Sequence, residues 1–214
     1  MEKVIKGYHL YIETKVHDAM ILWIMGEHEK QYLDLLQKQL PCSLVAFQCQ
    51  NWNQELSPWK ADGLWENQDF AGKGAQTYEM IVDEIIPYLQ VHFHYHKLYI
   101  VGYSLAGLFS LFAMVKSDLF AGSASCSGSL WYEGFEAFVY NHPCHDRRIY
   151  LSLGRQEHKT RNPVMSQVQL KTEAIYHFLG TANESCFRYE PGNHFHQPQL
   201  RLLHAMQWLI QEGK

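Results

Sequence analysis

Between Lys97 and Leu108 the chain reads Lys-Leu-Tyr-Ile-Val-Gly-Tyr-Ser-Leu-Ala-Gly-Leu, two apolar runs joined through one polar residue with no loop between them. The first run is short and β-branched, as a buried strand is. The second continues to Val115 and is apolar all round, as a buried helix is. A strand that becomes a helix within a residue or so must turn very tightly. The residue at the apex, Ser104, is then driven toward a strained backbone conformation with its side chain held above the sheet. Such a turn needs small residues two places before and two after the apex, here Gly102 and Ala106. The G-x-S-x-G pattern therefore lacks its second glycine, although Gly107 follows one place later. Serine is also a favoured helix cap, which is the plain alternative. The strand before it and the helix after it favour a nucleophile.

The remainder of the chain repeats this alternation. Met20–Met25 is a continuous apolar run closed by Gly26, and Ser43–Gln48 is a second one. Lys97–Gly102, Ala121–Cys126, Arg148–Gly154 and Cys186–Glu190 complete a set of short strands, with Tyr8–Thr14 expected at the sheet edge. Helical spacing is expected over 29–40, 75–92, 105–115, 164–179 and 199–210. Strands without polar alternation, interleaved with helices, predict a mostly parallel sheet covered on both faces. The fold class is α/β, a three-layer arrangement read as one domain over 1–214, with little or no lid. In such sheets chemistry belongs at the carboxyl ends of the strands. The irregular segment 50–73 is rich in Asn, Trp, Gly and Pro, and loops of that length in compact domains are usually functional.

Composition narrows the function. A formal charge of −4 gives no electrostatic footprint for nucleic acid. No apolar run approaches the roughly 18 residues of a membrane helix, and the first six residues lack an apolar signal segment. Five cysteines without a C-x-x-C pair suit neither a disulfide framework nor a zinc knuckle. A cytoplasmic protein is expected, with no metal, no cofactor, no nucleic acid and no membrane, and with homo-oligomerisation left open.

A serine hydroxyl needs a base to take its proton. Nucleophile, acid and histidine follow one another along the chain in hydrolases built around a strand–serine–helix turn. The loop after Arg148–Gly154 supplies Glu157 as the acid, and the loop after Cys186–Glu190 supplies His194 or His196. His194, two residues past Gly192, is favoured as base and His196 is its competitor. Asp146 lies at the wrong end of its strand. An oxyanion would be held by the backbone N–H of Leu105, directly after the nucleophile, and by one from the Gly26-Glu27-His28 turn, with Glu27 favoured. Trp52 and Trp59 in the long loop, with Trp131 and Tyr132 after another strand, are the candidate substrate pocket. Trp65 falls in the same loop. Packing of the loops against the core is the alternative for any one of these rings. His92, His94 and His96 alternate but precede the amino end of a strand, away from the expected chemistry. Cys49 and Cys126 read as small core residues.

Gly102-Tyr-Ser-Leu-Ala-Gly-Leu-Phe, together with Ser125-Cys-Ser-Gly-Ser-Leu-Trp-Tyr132, resembles the putative esterase family of α/β-hydrolases, which includes esterase D and the enterochelin esterases. Leu56-Ser-Pro-Trp59, Asp69-Phe-Ala-Gly72 and Pro191-Gly-Asn-His194 carry the resemblance further, over about Met20 to Leu209. It implies a Ser–His–acid hydrolase of short-chain or aromatic carboxylic esters, working through an acyl-enzyme without metal or cofactor. Ala106 departs from the usual glycine, the chain is short for a lid domain, and no counterpart of the additional N-terminal module of enterochelin esterases is expected. A thioesterase or acyltransferase with the same three residues, or a ligand-binding relative without activity, are the rival readings.

Overall fold

The computed structural model describes residues 1–64 and 69–211. Among the described residues ten strands and eight α-helices follow one another. They are β1 (Glu2–Ile5), β2 (Tyr8–Glu13), β3 (Ala19–Met25), α1 (Leu33–Gln39), β4 (Ser43–Gln48), α2 (Trp52–Glu55), β5 (Lys60–Ala61), β6 (Phe70–Ala71), α3 (Gly74–Met80), α4 (Ile86–His92), β7 (Lys97–Tyr103), α5 (Leu105–Lys116), β8 (Gly122–Cys126), α6 (Phe135–Asn141), β9 (Arg148–Gly154), α7 (Val168–Leu179), β10 (Glu184–Glu190) and α8 (Pro198–Ile210).

Eight strands form one sheet in the order β1-β2-β4-β3-β7-β8-β9-β10, and β5 pairs with β6 apart from it. From β4 to β10 every pairing is parallel; β2 runs antiparallel to both β1 and β4. Successive side chains of a strand point to opposite faces, so each central strand feeds two cores. Met20, Leu22 and Ile24 of β3 join one core with residues of α4, α5 and α7. Ala19, Ile21, Trp23 and Met25 join the other, under α1 and α8. This is why the strands read as unbroken apolar runs. Helix α5 is buried along Leu105–Val115 and lies against β7 and β8.

Three elements differ from expectation. The sheet edge is β1, not the strand beginning at Tyr8. Lys6 (φ 49°) and Gly7 (φ 87°) are the two residues between β1 and β2, both with positive φ. That is the backbone of a type I′ hairpin turn, which joins antiparallel neighbours in two residues. The helix expected over 75–92 is interrupted by a π-helical segment, Ile81–Ile85. Pro87 has no N–H for the carbonyl four residues back, and the wider turn ahead of it accommodates the loss. Finally, the long segment after β4 holds α2 and the β5–β6 pair. Trp65 lies outside the described residues.

Candidate active site

The turn at Ser104 is strained in fact. Its backbone sits at φ 56°, ψ −122°, outside the regions open to an ordinary L-residue. Three backbone bonds hold it there: the Ser104 N–H donates to Cys126 O at 3.0 Å, and the Ser104 carbonyl accepts from Leu108 N (3.1 Å) and Ser129 N (3.0 Å). Gly102 is required by the turn, because a Cβ there would lie 2.2 Å from the Ala106 carbonyl oxygen. The close approach of the helix to the next strand and its following loop falls at Gly107, where a Cβ would meet Ser125 Oγ at 3.0 Å and Gly128 Cα at 3.2 Å. The glycine displaced by one place in the sequence thus meets the packing demand, and the methyl of Ala106 is fully buried without conflict.

Two loops from later strands converge on the hydroxyl. His194 Nε2 lies 3.1 Å from Ser104 Oγ, and His194 Nδ1 lies 2.9 Å from Glu157 Oε2. Serine, imidazole and carboxylate therefore form one hydrogen-bonded chain across 90 residues of sequence. His196 is exposed, and its backbone N–H donates to Asn193 O. The Glu157 side chain is only 4% exposed. Burial pushes its carboxyl up, but hydrogen bonds from His194, Gly154 N–H and Ser127 outweigh this and hold it below the ordinary carboxylate value.

Glu157 has partners that the sequence did not reveal. Its Oε1 accepts from Ser127 Oγ (2.8 Å), Gly154 N (2.6 Å) and Arg201 Nη1 (2.8 Å). Arg201 is 2% exposed. The same guanidinium reaches Tyr103 Oη, Ser127 Oγ and the carbonyls of Pro191 and Asn193, while the Tyr103 hydroxyl donates to the His194 carbonyl at 2.6 Å. A signal for Arg201 was present: it shares a helical stripe with Ala205 and Leu209, both fully buried, and a charge on an apolar stripe must find partners. Ser127 and Tyr103 carry no comparable mark.

A cavity of about 240 Å³ opens above Ser104, walled by Trp52, Phe70, Trp131, Met165, Val168 and Phe195, with Ser127 and Ser129 among its polar groups. Trp52 and Trp131 line it. Trp59 and Tyr132 do not, and this corrects their expected place in the pocket. The Trp59 indole donates to Glu133 O, and its ring packs on Tyr132, Phe135 and Phe138. Tyr132 is 3% exposed with its hydroxyl on the Trp59 carbonyl. Both are apolar supports behind the wall, and Phe70, Met165 and Val168 take their place in it.

Leu105 also lines this cavity, and as the first residue of α5 its N–H has no acceptor within the helix. The other turn expected to supply a donor, Gly26–His28, begins a 3₁₀ segment (Glu27–Tyr32) at the carboxyl end of β3. The Gly26 N–H is already taken by Glu29 Oε2 at 2.9 Å. The Glu27 side chain is turned to Gln48.

Fold and site together define the class: an esterase-type hydrolase with a mostly parallel sheet, helices on both faces and a strand–serine–helix turn. Over residues 16–198 the sequence matches the family described as "Putative esterase", and the chain belongs to that family. It is 26% identical over 193 residues to the uncharacterized protein YbbA of Bacillus subtilis, covering 83% of this chain and 77% of that one. Among solved structures, the IroE-like serine hydrolase of Shewanella oneidensis is similar over 95% of this chain and 75% of its own, with a TM-score of 0.80 and 16% identity. The siderophore hydrolase EstA of Aspergillus nidulans is similar over 98% of this chain and 92% of its own, with a TM-score of 0.72 and 16% identity.

Proposed function

We propose that the protein hydrolyses carboxylic esters of aromatic or short acyl groups through an acyl-enzyme on Ser104. The observation that carries this reading is the hydrogen-bonded chain from Ser104 Oγ through His194 to Glu157, set at a strained strand-to-helix turn. Ser104 Oγ attacks the ester carbonyl carbon as His194 Nε2 takes the hydroxyl proton. Glu157 keeps the imidazole in the tautomer that leaves Nε2 free to accept, and it stabilises the imidazolium. The tetrahedral oxyanion is held by the N–H of Leu105, which lines the cavity, and by that of Glu27. Collapse breaks the bond to the alkoxy group, which leaves as an alcohol with the proton from His194. Water then enters, gives its proton to the same nitrogen and releases the acid, and Ser104 recovers its proton.

The cavity supports the acyl class. Its walls are aromatic and aliphatic, with a few hydroxyls to orient a polar substituent. About 240 Å³ is room for a ring-sized or short acyl group. EstA is named as a siderophore hydrolase, and an aryl ester suits the wall of Trp52, Phe70 and Trp131 here.

Nitrophenyl esters and a fluorophosphonate probe test the reading. The wild-type protein is expected to release a burst of nitrophenol and to be labelled covalently. Ser104→Ala is expected to lose the label and about 10⁴- to 10⁶-fold of turnover. Undiminished turnover in Ser104→Ala refutes the reading.

A further inference from the structure

We propose that Arg201 is a positioning residue for ester hydrolysis, one guanidinium that fixes the acid and the base loop together and offsets part of the charge on the acid. The inference rests on the reading of Ser104, His194 and Glu157 given above.

The geometry carries it. Nη1 lies 2.8 Å from Glu157 Oε1, and Nη2 lies 2.8 Å from the Pro191 carbonyl and 2.7 Å from the Asn193 carbonyl. Those carbonyls belong to the turn that ends in His194. The two carboxylate oxygens are divided between partners, Oε1 to Arg201 and Oε2 to His194. Arg201 thus sets the distance between acid and base from the far side of both. Nη1 is also within reach of Ser127 Oγ (2.6 Å) and Tyr103 Oη (3.1 Å), and the latter hydroxyl holds the His194 carbonyl. The planar fork suits this task, because a single rigid group serves acceptors on three loops.

A buried arginine could simply be structural, a cation paid for by a carboxylate and carbonyls. Here the pairing is to the side chain whose charge acts on the imidazole, and that gives a distinct signature. A carboxylate shared with a fixed cation stabilises the neighbouring imidazolium less than an uncompensated one does. Removing the cation should therefore move the acid limb of the pH–rate profile to higher pH. Loosening the loop should lower kcat with little effect on KM, since the substrate wall is built by other residues.

Two variants test this, each checked for its fold by circular dichroism. Arg201→Met keeps the stem and removes the charge. It is expected to lower kcat about 10²-fold, to leave KM within about threefold, and to raise the acid-limb midpoint of kcat/KM by about half a unit or more. Arg201→Lys keeps a positive charge but cannot span the acid and both carbonyls. It is expected to leave that midpoint in place while kcat stays about tenfold low. A folded methionine variant with wild-type kcat, or with an unmoved limb, overturns the proposal. Should that variant not fold, the lysine variant decides: wild-type kcat, or a shifted limb, overturns it. A wild-type protein that neither turns over esters nor takes the fluorophosphonate label removes the underlying reading instead, so the two failures are told apart.

Discussion

The two ends of the parallel sheet hold two very different depressions. At the amino ends of the strands lies the larger, about 860 Å³, walled by the Thr14–Ala19 turn and by His92, His94, His96 and Lys97. At the carboxyl ends lies the 240 Å³ cavity over Ser104. The larger one has more histidines, yet their side-chain hydrogen bonds among the described residues are local: His17 Nδ1 accepts from Ala19 N, and His92 Nδ1 meets the Tyr88 carbonyl one turn back. In the smaller one a single imidazole bridges a hydroxyl and a carboxylate brought from distant parts of the chain. Size and residue type do not mark the site. Coupling between groups that the fold alone brings together does, and parallel topology gathers such loops at the carboxyl ends.

The largest expected contrast breaks the comparison directly. His194→Ala should reduce turnover of nitrophenyl esters by about 10⁴-fold or more. The double substitution His94→Ala/His96→Ala, at the opposite end of the sheet, should leave kcat/KM within about twofold. Steady-state kinetics on the purified proteins settles both. A large loss from the double variant would show that the amino-end groove takes part in the chemistry.

Much of this is legible in the sequence, for a physical reason. Buried strands, helix stripes and tight turns are local patterns, so the alternation of elements, the place of Ser104 and the loops bearing Glu157 and His194 could be read residue by residue. Loss of the second glycine at Ala106 was also readable, because Gly107 stood beside it. What local patterns do not encode is which rings face which space. Trp52 and Trp59 occupy the same irregular segment, but α2 presents the first to the cavity and the indole bond to Glu133 turns the second away. The hairpin edge leaves little trace in the sequence because β1 is four residues long and mostly exposed, with two charges beside Val4 and Ile5. Ser127, with φ 47° after β8, holds Glu157 through a contact set by tertiary structure alone.

A smaller effect sharpens the description of the carboxyl-end cavity. Trp131 stands in its wall 6.2 Å, centroid to centroid, from Phe70. Trp131→Ala should cost about tenfold in kcat/KM for an aryl acyl ester, and clearly less for an acetyl ester that does not reach the ring. A ratio of the two substrates that does not change would remove the aromatic wall from the specificity.

The subtlest test concerns two carboxyls at this same end of the sheet, both withdrawn from water. Glu157 has four donors and is held below the ordinary carboxylate value. Glu29, 2% exposed, is given a single N–H from Gly26, and burial raises its carboxyl to about 8. Their contributions to stability should run in opposite directions with pH. Glu157 favours folding at neutral pH, and that contribution is lost as pH falls through its lowered value. Glu29 favours folding fully only below its unfolded value near 4.5. Between there and about 8 its contribution declines by up to about 1.4 kcal/mol per pH unit. Glu29→Gln keeps an acceptor for Gly26 N–H and cannot ionise. Urea unfolding from pH 5 to pH 8 should therefore show the variant gaining on the wild type as pH rises. Parallel curves for the two proteins would mean that Glu29 is already charged in the fold, and that burial near the site does not separate these carboxyls as their partners do.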